Sequence, residues 1–296
     1  NTITYKSINQ APTKQIVLQG GDMYNENKLF AWTDSLGNKY NYGDVYTIPN
    51  NNTTLTAQWI AGNEVTVTNT LPTDSTVEFQ SMSPSRCLIR YDDNEVVRRN
   101  TNAISTFKKN YSLGTHDTTI VSESEDLTNF DNAFDKGTTT KIDCSKVKAT
   151  YLTSPMGNGF ENITDFVFPA NLANISTSEG VLSGCKKLTN IAFPTAYCDI
   201  SHPESFLANS TFVNGLELPY TLTFVPMVSV DGQTGIEEIK RNEILKGSHV
   251  FGSLNLKAST TNKCVVYVNK ETTSLVIYPA TVQGRFYLMG KGIDGD

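Results

Sequence analysis

Charged residues are scarce in this chain. Lys, Arg, Asp and Glu make up 18% of its 296 residues, below the usual share of about a quarter. The formal net charge is -6, and no Lys/Arg-rich patch occurs. Because a protein that binds a phosphate backbone needs clustered cations to displace counterions, we expect no nucleic-acid partner.

Long apolar runs are also missing. No stretch approaches the roughly 18 consecutive apolar residues of a transmembrane helix, so we expect no membrane insertion. A basic start followed by an apolar run is absent as well, which predicts no signal peptide in this sequence. The chain begins at Asn1 and not at Met, which fits a mature product or a fragment.

Motifs for metal binding and catalysis are absent too. No Cys-x-x-Cys pair occurs and the only histidines are His116, His202 and His249, so we expect no zinc site. The histidines lack a nearby nucleophile motif, and we interpret them as surface or structural residues. The cysteines are interpreted as small buried hydrophobic residues, with one disulfide as the alternative; they are Cys87, Cys144, Cys185, Cys198 and Cys264. The sequence therefore predicts a protein that is not an enzyme, with no catalytic, cofactor-binding or metal-binding residues and no cofactor.

What the chain does contain is a repeat. Three short strand-like segments end at Pro169, Pro194 and Pro219, at intervals of 25 residues. A fixed period of this size is typical of solenoids, in which each unit stacks on the next. Each rung places two apolar residues two positions apart, so both face a shared core: Ile142 and Cys144, Phe166 and Phe168, Ile191 and Phe193, Leu216 and Leu218.

The repeat predicts a solenoid over residues 123–296, with an irregular insertion near 228–262. The segment from Leu182 to Pro194 resembles the BspA-type leucine-rich repeat of bacterial surface proteins, and residues 274–282 resemble the same unit. The resemblance implies a mainly β solenoid with little helix.

Two small β domains are predicted ahead of the solenoid. Residues 1–60 resemble the Listeria–Bacteroides repeat, a β-grasp-like module, through Phe30-x-Trp32, Asp34-x-x-Gly37, Tyr40, Gly43-Asp44, Ile48 and the ending Leu55-Thr56-Ala57-Gln58-Trp59. Trp32 and Trp59 are expected to pack the core of this small module. Residues 61–122 resemble a PKD-like β-sandwich domain, through alternating strands around the turn Asp92-Asp93-Asn94.

For three groups of residues, a functional role is an alternative to a structural role. Two acidic clusters occur, one of Asp92, Asp93 and Glu95 and one of Glu123, Glu125 and Asp126. Their carboxylates could hold Ca²⁺ or form a glycosidase pair, but plain turns are the favoured interpretation. The alternating tyrosines Tyr40, Tyr42 and Tyr46 could project from one face and bind sugar or protein. Because Tyr is also favoured in strands generally, a structural role is preferred.

The three resemblances together imply an extracellular or cell-surface protein for adhesion or display. Its partner would be a host or bacterial surface protein or a glycan, bound through broad repeat surfaces. The alternative is a virion structural protein, such as a phage fibre, spike or capsid decoration subunit, whose partners would be neighbouring virion subunits. Both interpretations are kept, because a shared module does not fix a role.

Overall fold

The computed structural model describes residues 14–18, 28–41, 43–99, 101–203, 205–210, 216–225, 243–244, 250–257, 265–268, 272–278 and 287–290. Strands are the main regular structure of these residues, and the one helix among them is a short 3-10 helix, Phe130–Asn132. The predicted mainly β fold with a solenoid is confirmed, and the solenoid region has about three turns. Within the described residues, no helix has the length and hydrophobicity needed to span a bilayer.

The N-terminal segment forms two small antiparallel sheets. Its strands are β1 (Gln15–Val17), β2 (Lys28–Thr33), β3 (Lys39–Asn41), β4 (Val45–Thr47) and β5 (Thr56–Ala61). β1 pairs with β4, and β2 lies between β3 and β5. Leu18, Trp32 and Tyr46 are its buried core, against which Trp59 packs half-buried. The prediction that both tryptophans pack this core is confirmed.

A close contact joins this segment to the next one. Leu29 of β2 packs with Leu88 and Val121 in a small buried cluster. Gly62 follows β5 directly, and a Cβ atom there would lie 2.3 Å from the backbone oxygen of Ser122. Only glycine allows the two backbones to approach this closely.

The second segment contains six antiparallel strands. They are β6 (Asn63–Leu71), β7 (Ser75–Gln80), β8 (Cys87–Arg90), β9 (Val96–Arg99), β10 (Thr106–Tyr111) and β11 (Gly114–Ser122). β7 and β10 form a separate pair, whereas β9, β8, β11 and β6 follow one another in a larger sheet. Strict alternation in β6 buries Val65 and Val67 and turns Thr66 and Thr68 outward.

The larger sheet continues into the solenoid. β12 (Thr139–Lys146) pairs antiparallel with β6, and β14 (Asp165–Val167) and β16 (Asn190–Ala192) follow it in parallel. The strand order is therefore β16-β14-β12-β6-β11-β8-β9. One hydrophobic core also runs from Val65 to Phe224. Sheet and core thus both extend across the boundary predicted between residues 122 and 123.

The second side of the solenoid is another parallel ladder. It contains β13 (Tyr151–Leu152), β15 (Asn174–Ile175), β17 (Cys198–Ile200) and β19 (Leu222–Phe224). The predicted rung pairs are confirmed as core for Ile142 and Cys144, Phe166 and Phe168, and Leu216 and Leu218. Ile191 and Phe193 pack against the same core but are only half-buried.

Three described turns of the solenoid also contain a loop with left-handed backbone, which is strained only where a leucine adopts it. Two residues in each loop have a positive φ, and they repeat every 25 positions: Gly157 and Gly159, Leu182 and Gly184, Leu207 and Asn209. Leucine in this conformation costs about 1–2 kcal/mol, which full burial of both leucine side chains offsets.

Side-chain hydrogen bonds connect these loops. The Asn158 side chain accepts from the backbone N–H of Ser183 at 2.9 Å and donates to the Gly180 carbonyl at 2.8 Å. Buried Asp131, from the short helix, accepts from the N–H groups of Gly157 at 2.5 Å and Asn158 at 3.2 Å. Asp131 therefore caps the first loop much as Asn158 supports the second.

The remaining strands include one that lies inside the predicted insertion. They are β18 (Leu216–Leu218), β20 (Glu243–Ile244), β21 (Val250–Lys257), β22 (Val265–Val268), β23 (Thr272–Tyr278) and β24 (Tyr287–Gly290). β21 lies inside the predicted irregular insertion near 228–262, yet it pairs in parallel with β18, β19 and β23. Leu254 and Leu256 have the two-residue spacing of the other rungs, but Lys257 stands where three of those rungs have Pro169, Pro194 or Pro219. The other parts of 228–262, apart from β20, lie outside the described residues.

Candidate binding surface

Five neighbouring strands, β11, β6, β12, β14 and β16, present one continuous outward surface. We call it the threonine face, because eight threonines lie on it: Thr66, Thr68, Thr70, Thr115, Thr119, Thr140, Thr164 and Thr189. Threonine suits this position, since its branched side chain packs well on a pleated, half-exposed surface. The same branching restricts its rotamers, so the surface is rigid as well as polar.

One row of hydroxyl groups crosses β11, β6 and β12 and continues through the residues just before β14 and β16. The Thr70 Oγ1 lies 3.3 Å from that of Thr115 and 3.2 Å from that of Thr140. The Thr164 hydroxyl donates to the Thr140 carbonyl, and the Thr189 hydroxyl donates to the Thr164 carbonyl, both at 3.1 Å. These hydrogen bonds fix each hydroxyl at a defined place on the face.

A second row combines charged, hydroxyl and amide groups. Strand pairing aligns Asp117, Thr68, Lys141, Asp165 and Asn190 side by side. The Thr68 hydroxyl donates to the Asp117 carboxylate at 2.6 Å, and the Asn190 amide donates to the Asp165 carboxylate at 2.8 Å. The row therefore offers both donors and acceptors in a regular order.

A shallow depression of about 220 Å³ lies on this face. It is lined by Glu64, Thr66, Thr68, Asp117, Lys141, Asp143, Ser145 and Lys146. An ion pair of 2.6 Å joins Lys146 to Glu64 at its border. The volume is below the roughly 300–1,000 Å³ of a drug-sized pocket, so the depression suits a small polar group of a larger ligand.

The acidic turn at residues 92–95 is engaged in ion pairs. Asp93 and Glu95 both contact the ammonium group of Lys109, the latter at 2.7 Å. The hydrogen bond from Lys109 holds the pKa of Asp93 below its usual range. Asn94 occupies the left-handed region with φ 67°, as expected for the turn. In the described part of the chain, no three or more His, Cys, Asp and Glu side chains are grouped to hold a metal ion.

Glu123, in the second acidic cluster, joins three parts of the chain. Its carboxylate accepts two hydrogen bonds from Arg86, at 2.7 and 2.8 Å, and contacts Lys39 of β3. The hydrogen bonds from Arg86 outweigh partial burial, and with Lys39 they lower the pKa of Glu123 to about 2. Glu125 and Asp126 are exposed.

His116 also belongs to a structural network. Its ring stacks on Tyr111 with 4.3 Å between ring centroids, and its Nδ1 lies 2.6 Å from the Asp92 carboxylate. Its Nε2 lies 2.9 Å from the Ser112 carbonyl. Partial burial lowers the pKa of His116, but the hydrogen bonds with Asp92 and Ser112 prevail and raise it. His202 is half-buried, and His249 lies outside the described residues.

The His116 network makes stability depend on pH. Because the folded-state pKa is raised, the stabilisation is complete below the unfolded value of about 6.5 and is lost as pH rises through the folded value. His116→Gln should therefore destabilise the protein at pH 5.5 more than at pH 8.5, as measured by urea unfolding. Asp92→Asn, which keeps the shape but removes the charge, should behave alike. An equal effect of His116→Gln at both pH values would contradict this assignment.

Two of the three tyrosines predicted to share one face, Tyr40 and Tyr46, pack in the N-terminal core. Tyr46 is buried, and its ring meets that of Tyr40 edge-on with 5.0 Å between centroids. The Tyr40 hydroxyl donates to Asp34 at 3.1 Å. These two rings stabilise the N-terminal core, in keeping with the preferred structural role, whereas Tyr42 lies outside the described residues.

The cysteines fit the prediction of small buried residues. Four of them are buried and free of disulfides: Cys87, Cys144, Cys185 and Cys198. Burial raises the pKa of Cys87 and Cys185 to about 11 and that of Cys198 to about 12. Their thiols therefore stay protonated at neutral pH, when only a thiolate is a good nucleophile. Cys264 lies outside the described residues.

Sequence reasoning missed the threonine face, although its signal is present. Thr164 and Thr189 are 25 residues apart, the period of the closing prolines, and Thr66, Thr68 and Thr70 alternate along β6. A search for repeated polar positions would have found them. No protein-family model, curated protein or solved structure matches this chain.

Proposed function

We propose that this chain is a non-enzymatic recognition module of an extracellular surface protein, and that it binds a protein or glycan through the threonine face. The observation that carries the proposal is the row of hydroxyls from Thr115 through Thr70 to Thr189, each held by a hydrogen bond to a neighbouring hydroxyl or backbone carbonyl. Ordered short side chains lose little conformational entropy on binding. A flat, rigid array of this kind suits a broad ligand better than a small substrate.

The state of the reactive side chains supports a role in binding over catalysis. The described cysteines are buried with raised pKa values, and His116 is held between Asp92 and Ser112. Lys109 and Arg86 neutralise carboxylates in the two acidic clusters. The sequence resemblances to the Listeria–Bacteroides, PKD-like and BspA-like modules add support for a cell-surface location.

The threonine face is tested by blocking it. We expect Thr70→Arg with Thr189→Arg, two exposed positions on this face, to lower binding of the labelled chain to bacterial cells, host epithelial cells or an immobilised glycan array at least tenfold. The matched control is Thr106→Arg, an exposed strand threonine on β10 that should leave binding unchanged. Thermal unfolding checks that all variants remain folded.

Two outcomes would contradict the proposal. One is binding that the double variant leaves intact. The other is an absence of binding to every surface together with a stable trimer in light scattering, which would favour the alternative of a virion fibre, spike or decoration subunit. The cell-surface location and the virion alternative both remain predictions until that measurement.

A further inference from the structure

Three tyrosines on the solenoid are unusually exposed. Tyr151, Tyr197 and Tyr220 have exposed fractions of 55%, 70% and 66%. Each lies at or shortly before the start of a strand of the second ladder, β13, β17 or β19. They therefore lie at the same corner of different turns, away from the threonine face.

Two of these rings are already ordered against one another. The centroids of Tyr197 and Tyr220 are 6.1 Å apart, and the ring planes meet at 72°, which is a favourable edge-to-face geometry. The N–H of Cys198 donates to the carbonyl of Thr221 at 2.9 Å, so the two turns are held together beside the rings. A pair ordered before binding has less rotamer entropy to lose.

Tyr151 extends the aromatic surface along the solenoid. β13 pairs with β15, and β15 pairs with β17. Since neighbouring strands lie about 4.8 Å apart, Tyr151 is about 10 Å along the solenoid axis from the turn of Tyr197. The intervening turn exposes Asn171 and small Ala173. Aromatic rings therefore stand at both ends of this corner, and shorter side chains lie between them.

The groups around the rings are polar. Strand register places Tyr151, Asn174 and Asp199 in one row. No large aliphatic side chain is exposed in the part of residues 139–225 that the structure describes. A protein interface normally has a contiguous apolar core, and the described residues of this corner have none. Separate aromatic rings beside amide and carboxylate groups match a sugar ring, which has an apolar C–H face and a rim of hydroxyls.

We propose that Tyr151, Tyr197 and Tyr220 form a stacking site for a neutral oligosaccharide lying along the solenoid axis, with Asn174 and Asp199 beside it as hydrogen-bonding groups. A neutral chain is favoured because the protein carries a net charge of -6 and the charged residue in the row is an acid. The inference rests on the proposed function only in assuming an extracellular glycan, since its residues are not those of the threonine face.

Affinity electrophoresis in gels containing neutral polysaccharides, namely glucans, mannans, galactans and chitin oligomers, tests the site. We expect the full chain to be retarded by at least one of them. Tyr197→Ala should raise the dissociation constant obtained from the retardation about tenfold. Tyr197→Ala with Tyr220→Ala should raise it about a hundredfold, because each substitution removes a stacking ring. Tyr197→Phe with Tyr220→Phe should retain binding, since phenylalanine preserves the ring.

The control is Leu113→Ala, which removes an exposed apolar side chain, 64% accessible, on the turn before β11. It should leave retardation unchanged. Retardation by none of the polysaccharides, or full retardation of the double alanine variant, would overturn the inference. Its failure is separable from failure of the proposed function, because Thr70→Arg with Thr189→Arg acts on cell binding and leaves the tyrosine corner intact.

Discussion

Replacing Glu123 with glutamine is expected to lower the free energy of unfolding by about 3 kcal/mol, because it removes one partner of an ion pair whose cation is buried and whose carboxylate is half-buried. The Arg86 side chain is only 3% exposed, and Glu123 receives two of its N–H groups. Glutamine keeps the shape but removes the charge that neutralises this buried cation, and it also weakens the contact with Lys39. Urea unfolding of the full chain measures the loss.

The matched control is Glu125→Gln, which removes a carboxylate from the same segment at an exposed position. Because exposed charges contribute little, its effect should stay within about 0.5 kcal/mol. Equal effects of the two substitutions would contradict the role given to Glu123.

The same carboxylate predicts the response to acid. The pKa of Glu123 is lowered from an ordinary 4.5 to about 2, so its stabilisation is present above pH 4.5 and is lost as pH falls through about 2. This difference between the two pKa values corresponds to about 3 kcal/mol of folding stability. Glu123→Gln should abolish this part of the acid destabilisation.

Replacing Phe168 with alanine is expected to lower the free energy of unfolding by about 3–5 kcal/mol, as for other buried phenylalanines. The Phe168 side chain is 1% exposed. Its ring centroid lies 4.8 Å from that of Phe166, 6.0 Å from that of Phe193 and 6.5 Å from that of Phe206. Alanine would leave a cavity where rings from three successive turns meet.

Phe193 is a natural control for this substitution. It stands 25 residues after Phe168, in the equivalent position of the next rung, but is only half-buried. Phe193→Ala should therefore cost less than half as much, because less apolar surface is returned to water. A cost for Phe193→Ala that equals or exceeds the cost for Phe168→Ala, in the same urea titration, would be inconsistent with the packing.

The sequence reveals local features of this fold better than distant ones. Rung pairs such as Phe166 and Phe168 are visible because alternation and a 25-residue period are local signals. The strained loops are harder, since Leu182 and Leu207 adopt positive φ values that leucine ordinarily avoids. Only tertiary packing around their buried side chains makes that conformation acceptable.

The pairing of β6 with β12 is the least predictable element. It joins Val67 to Ile142 across 75 residues of chain, and no turn or repeat in between indicates the partner. The threonine face depends on this pairing, because its two sets of strands meet there. The ion pairs of Glu123 with Arg86 and Lys39 likewise bring together residues from three segments, so composition could suggest only an acidic turn.

The continuity of the sheet and core across residues 122 and 123 is most directly tested by native-state hydrogen exchange on the full chain, with and without Phe168→Ala. Because β6 and β12 share one sheet and one core, the slowest amides of β6 and β11 should lose the same free energy of protection as those of β12 and β14. Full protection of β6 and β11 in the variant, with loss confined to the solenoid strands, would contradict a single continuous structure beneath the threonine face.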